Sequence, residues 1–135
     1  MMTGLIWFVQ VVHYPLFAAV GEGQSVPYAV EHQRRTSWVV ALPMAAEGVT
    51  ALLVFFLAPE GISRWWGAMG LALLAVVLGS TVLLQVPRHA RLAERYEAGT
   101  VASLVRTNWI RTVGWSARTV LAAGLVIGAW TSARP

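Results

Sequence analysis

Thr107-Asn108-Trp109-Ile110-Arg111-Thr112-Val113-Gly114-Trp115-Ser116-Ala117-Arg118 places two arginines and an asparagine at the mouth of an otherwise apolar segment that runs on to Trp130. Guanidinium groups do not enter hydrocarbon unpaired. At about 100° per residue, Asn108, Arg111, Trp115 and Arg118 fall on one narrow stripe, so this helix turns a polar face toward protein rather than lipid. The rest of the chain is expected to meet that face.

Three further apolar segments complete the chain. The spans run over about 2–20, 36–57, 64–86 and 107–130, each close to the ~20 residues that a membrane-crossing helix needs. With 57% hydrophobic and only 12% charged among 135 residues, the composition lies outside the soluble range, and strand alternation is missing. The expected fold is all-α, one domain over 1–135: a bundle of four transmembrane helices with a short amphipathic segment between the third and fourth. The lipid bilayer is the first expected partner.

Cysteine is absent, which removes disulfides, thiolate metal sites and thiol nucleophiles. All ten basic residues are arginine, and no basic run interleaves with aromatics outside the apolar segments, so the net charge of +4 carries no nucleic-acid signal. The first segment lacks a positive n-region and contains Gln10 and His13, so it reads as a retained helix rather than a cleaved signal.

In the first segment Gln10, His13, Tyr14 and Phe17 share a face, and Pro15 should kink the helix or loosen its preceding turn. A charged entry, Tyr28, Glu31, His32, Arg34 and Arg35, leads into the second segment, which carries Pro43 and then Glu47 about 16 Å beyond Thr36. Ala58-Pro59-Glu60-Gly61 is expected to end it in a tight turn. Trp65 and Trp66 open the third as an interfacial anchor, and Pro87 should break or bend it. Arg88 to Glu97 then reads as an amphipathic piece on or above the surface. In the fourth, Gly124-x-x-x-Gly128 permits close helix approach, within the bundle or across a homo-oligomer.

Arg34, Arg35, Arg88, Arg91, Arg95 and Arg106 gather on the side of the 21–35 and 87–106 connections, against Arg64 and Arg134 on the other. The positive-inside rule makes the first side cytoplasmic, in a cell (inner) membrane, with both termini outside.

Counted from the cytoplasmic side, Glu47 and Arg118 stand at matching depth and form the expected ion pair, serving either to fix helix register or to act on a ligand. Gln85, Asn108, His32 and His89 gather at the mouth, above Arg111 and His13. The implied shape is a funnel open to the cytoplasm and closed by aliphatic residues toward the outside. His13, His32 and His89, with Glu47, have ligand types that suit copper, iron or zinc. The three histidines come from different segments and arginines stand nearby, so neither a metal nor any other cofactor follows from the pattern. Arg111, Arg118 and Asn108 suit an anionic or enolate-like oxygen, with Glu47 or a histidine as proton acceptor. The candidate catalytic set is His13, Glu47, Arg111 and Arg118. Gln10, Tyr14, Gln85, Asn108 and Trp115 are the candidate binding residues, although Trp115 also suits plain packing.

Asn108-Trp109-x-Arg111…Trp115-x-x-Arg118-Thr119 resembles the last helix of the anthrone oxygenase-like family of small four-helix membrane proteins, in which a tryptophan precedes an Arg-Thr. Phe8-Val9-Gln10-x-x-His13-Tyr14-Pro15-Leu16-Phe17, His32-x-Arg34-Arg35, Pro43-Met44-x-x-Glu47 and Gln85-Val86-Pro87-x-His89 are similar to uncharacterised bacterial proteins grouped near it. The resemblance implies oxidation of a phenolic polycyclic substrate to a quinone. Trp115 stands close to where the family often has a polar residue such as histidine. The functional expectation is an oxidoreductase or oxygenase acting on a lipophilic aromatic or quinone-like small molecule. The rival is a non-enzymatic membrane module binding lipid or a small anion, or an assembly subunit. A transporter is a third reading, disfavoured by the apolar outer half.

Overall fold

A computed structural model describes residues 1–57 and 63–132. Four helices carry them: α1 (Met2–Ala19), α2 (Glu22–Phe56), α3 (Arg64–Glu94) and α4 (Ala98–Ser132). Each is long and apolar enough to cross a membrane. The expected turn Ala58-Pro59-Glu60-Gly61 and Arg134 lie outside the described residues. Large apolar side chains cover the outside, among them Leu42 at 78% exposure and Leu83 at 74%, as a lipid-facing surface requires.

The helices differ in extent from the apolar runs because the polar ends also coil. The charged entry from Tyr28 to Arg35 is already part of α2, and α4 begins well before Thr107. The amphipathic stretch after Pro87 is no separate surface piece, since it prolongs α3 to Glu94. The reason lies one residue ahead of the proline. Val86 N–H bonds to the Thr81 carbonyl, five residues back, so the turn Thr81–Gln85 is a π turn. Proline has no N–H and its ring crowds the carbonyl four residues earlier; an extra residue in the preceding turn makes room, and the helix continues. The same device precedes Pro15, where Tyr14 N–H bonds to the Val9 carbonyl across the π turn Val9–His13.

α3 packs against α2 on one side and α4 on the other, α1 lies along α4, and the seam between α1 and α2 is the slightest. Two glycines set the spacing. A Cβ on Gly67 would meet the Phe55 Cα at 2.8 Å, and one on Gly114 would meet a Val77 methyl at 2.6 Å. The Trp66 ring covers Gly124 at 3.6 Å, which assigns that glycine to packing within the chain. Two apolar clusters fill the interior: Met2, Ile6, Ala51, Leu74, Val77 and Trp115 toward the Trp66 end, and Tyr14, Phe17, Ala29, Leu92, Val101 and Leu104 toward the arginine-rich end. Between them runs a buried polar layer.

Candidate functional site

The two π turns and α4 build that layer. Gln10, in the π turn of α1, donates to the Val105 carbonyl at 3.2 Å and accepts from Asn108 Nδ2 at 2.9 Å. Asn108 Oδ1 in turn accepts from Arg111 Nη1 at 3.2 Å, and Thr112 completes the set against the Asn108 carbonyl. Gln85, in the π turn of α3, donates to Thr107 Oγ1 at 3.0 Å. Gln10, Gln85, Asn108, Arg111 and Thr112 are all buried. Among the described residues no carboxylate lies within ion-pair distance of Arg111. Its Nε, together with Gln85 Oε1 and His89 Nδ1, is buried without a hydrogen-bond partner among the described residues.

Above the layer stands a cluster of rings. His13 Nε2 and His32 Nδ1 share a hydrogen bond at 2.7 Å, His32 and His89 face each other at 5.0 Å between centroids, and the Tyr14 hydroxyl meets His89 Nε2 at 2.9 Å. Phe17 presents its edge to His13 and His32, and Tyr28 stacks near His32. Gln33 anchors α2 to α3 through the His89 carbonyl. Arg111 lies within electrostatic reach of both Tyr14 and His89, which joins the ring cluster to the polar layer. A small groove of about 160 Å³ in the α1–α2 seam reaches His13, lined also by Thr36 and Arg35 among Leu5, Phe8 and Val39.

Glu47 and Arg118 pair as their depths imply, with Nη2 of Arg118 at 2.7 Å from Oε2 and Nη1 on the Gly70 carbonyl. The bridge ties α2 to α4 across α3. It stands apart from the ring cluster, because Arg118 is seven residues beyond Arg111, about 10 Å along the axis. Trp115 fills the interval, fully buried, with the Arg118 guanidinium 5.7 Å from its ring centroid.

The funnel is therefore not what the chain builds. The half expected to be closed holds a lateral cleft of about 290 Å³, lined by Glu47 and Arg118 together with Trp66, Leu121, Leu125 and Val126. Polar contacts also extend into that half, where Thr3 donates to the Trp115 carbonyl and Trp7 Nε1 to Ser116. Where a cleft opens depends on how helices diverge, which depth arithmetic does not report. The three histidines do converge, but not as metal ligands. Two of their ring nitrogens bond each other, and among the described residues no group of three His or carboxylate side chains is arranged to hold an ion. Thr107, Thr112 and Gln33 escaped the sequence reading; only the four-residue step from Asn108 to Thr112 signalled one of them.

The fold and site define an all-α bundle of four potential membrane helices around a buried, arginine-centred polar layer capped by histidines. No family model, curated protein or solved structure matches the chain.

Proposed function

We propose that the protein is an integral membrane oxygenase that converts a lipophilic phenolic ketone of the anthrone type to the corresponding quinone. The supporting observation is a buried guanidinium, Arg111, with no carboxylate at ion-pair distance among the described residues, next to a chain of imidazoles that ends on a groove in the α1–α2 seam. In an anthrone the acidic ring methylene and the carbonyl oxygen sit on opposite edges of the central ring. Ionising it calls for a base at one edge and a cation at the other.

His13, at the groove, takes the methylene proton, and its hydrogen bond to His32 spreads the positive charge inward. Arg111, steadied by Asn108, stabilises negative charge on the enolate oxygen, with Gln85 and His89 supplying further polar partners. The carbanion carbon bonds to molecular oxygen and the adduct takes a proton, giving a hydroperoxide. Loss of the remaining C–H proton and of hydroxide, which leave together as water, forms the quinone carbonyl. One oxygen atom enters the product and the other leaves as water, so a four-electron oxidation of carbon balances the reduction of O2. In this reading Tyr14 and Gln10 position the imidazoles and Asn108, while Glu47, Arg118 and Trp115 fix helix register. The same reading seats the bundle in the cell (inner) membrane with the arginine-rich end in the cytoplasm and both termini outside.

The test is oxygen uptake and quinone absorbance by the detergent-purified protein given a hydroxyanthrone. One O2 per quinone is expected, with His13→Ala slowing turnover by about 10²-fold or more. Uptake no faster than in buffer, or indifference to His13→Ala, sinks the proposal. A preparation that consumes no oxygen yet holds phospholipid tightly belongs to a non-enzymatic binding or assembly module instead.

A further inference from the structure

The arginines at the end with the short connections are not equivalent. Glu31 holds Arg34 at 2.7 Å and Arg35 at 2.5 Å, and Glu97 holds Arg95 at 2.6 Å. Glu97 also accepts a hydrogen bond from Thr100; that bond and the Arg95 charge, with a smaller pull from Arg91, keep its carboxyl below the ordinary range. Among the described residues, no carboxylate lies within ion-pair distance of Arg88 or Arg91. Arg88 is held in place nonetheless, because its Nη1 donates to the Leu84 carbonyl one turn back.

Arg88 and Arg91 of α3, with Thr100 and Ser103 of α4, line a polar cleft of about 220 Å³ that also touches Leu83, Leu84 and Pro87. Its depth is informative. From Trp66 to Arg88 is 22 residues of one helix, about 33 Å, against a hydrocarbon thickness of ~30 Å. With the Trp65–Trp66 pair at one interface, the two guanidiniums stand at the phosphate level of the other. Toward the bilayer centre Val82 and Leu83 are 62% and 74% exposed, an apolar track leading directly away from the charges.

We infer that this cleft binds the phosphate of an anionic diacyl phospholipid, with the acyl chains lying down the face of Val82 and Leu83. The inference rests on the chain spanning a bilayer and is independent of the oxygenase chemistry. The phosphodiester receives the two guanidiniums and the Ser103 hydroxyl, since Thr100 already donates to Glu97. The leucines beside the arginines separate a lipid from a free anion, because inorganic phosphate gains nothing from Leu83 and Leu84. Two cations without a carboxylate at ion-pair distance, Arg91 being drawn to Glu97 only at longer range, separate an anionic headgroup from a zwitterionic one.

Native mass spectrometry of the full chain in detergent tests this, titrating phosphatidylglycerol and phosphatidylcholine of identical acyl chains. A preference for phosphatidylglycerol of roughly 10- to 30-fold is expected from two arginines near the surface. Arg88→Gln with Arg91→Gln should abolish the preference, whereas Arg34→Gln with Arg35→Gln, which removes cations already paired to Glu31, should leave it. If the double change at the cleft fails to fold, Arg91→Gln alone decides: its side chain is exposed, and its loss should cost about five-fold in preference. Equal uptake of the two lipids overturns the inference, as does a preference undiminished by loss of Arg91. Displacement of the lipid by millimolar inorganic phosphate also overturns it, by assigning the cleft to a free anion. His13→Ala should retain the lipid preference whether or not it consumes oxygen, which keeps the two proposals separable.

Discussion

Arg111 carries a conflict between stability and use. A buried cation without a carboxylate is a cost that an apolar residue of similar size avoids, and such replacements are often neutral or stabilising by about 1–4 kcal/mol. Arg111→Leu should therefore unfold in detergent at the same temperature as the parent or higher, while turnover of the hydroxyanthrone is lost. A lowered melting point with turnover intact would mean that the guanidinium serves only packing. Arg118, only partly buried, behaves differently, because it has both Glu47 and the Gly70 carbonyl as partners. Glu47→Gln should destabilise by about 1–3 kcal/mol, discounted because the Glu47 side chain is 36% exposed. Combining it with Arg118→Leu should recover most of that loss in thermal melts; failure to recover would point to work beyond holding register. This pair was legible from the sequence because rise per residue fixes depth and an unpaired charge in lipid must find its counterpart. The isolation of Arg111 from carboxylates was not legible, since partner choice depends on rotations about the helix axes that linear spacing leaves open.

Within the helices, the two π turns decide which side chains face inward. Each widened turn is separated from a following proline by one residue and carries a buried glutamine, Gln10 in one and Gln85 in the other. Pro87→Ala restores an N–H at that position and allows the turn to close with Leu83 as acceptor. The segment beyond then rotates, breaking the Gln85 bond to Thr107. The expected loss is about 1–2 kcal/mol. Gln85→Ala added to Pro87→Ala should cost little more, a non-additivity readable from denaturation of the singles and the double. Full additivity would show that the proline does not hold the glutamine. Apolar runs and prolines made the helices and their irregular points visible in advance. That Pro87 would be passed rather than obeyed was not visible, because the accommodating π bond is made by residues with no special signature, Thr81 and Val86. The polar start of α4 was likewise underestimated, whereas the charged entry to α2 coils as expected, with residues such as Glu31 and Arg35 paired four apart.

For the molecule as a whole, sidedness is the first consequence to check. Because the chain has no native cysteine, single cysteines report position without background. Cysteine at Gly99 should react with an impermeant maleimide only after the cells are opened, and cysteine at Ser63 should react in intact cells. The reverse pattern inverts the proposed orientation. Shape follows from connection length. α1 and α2 are joined by Val20 and Gly21 alone, whose extended backbone turns the chain without slack. Further down the same seam, Phe8 and Val39 stand on opposite walls of the groove at His13. Cysteines placed at both should, once oxidised, stop turnover, and reduction should restore it; turnover in the oxidised form would require another way in.

The Val20–Gly21 join ties the two helices together at one end, while the groove at His13 lies further along the seam, where no connection crosses it. Under the proposed function, a guest would reach His13 through this narrow slot rim-first, so its outline would be screened ahead of its chemistry.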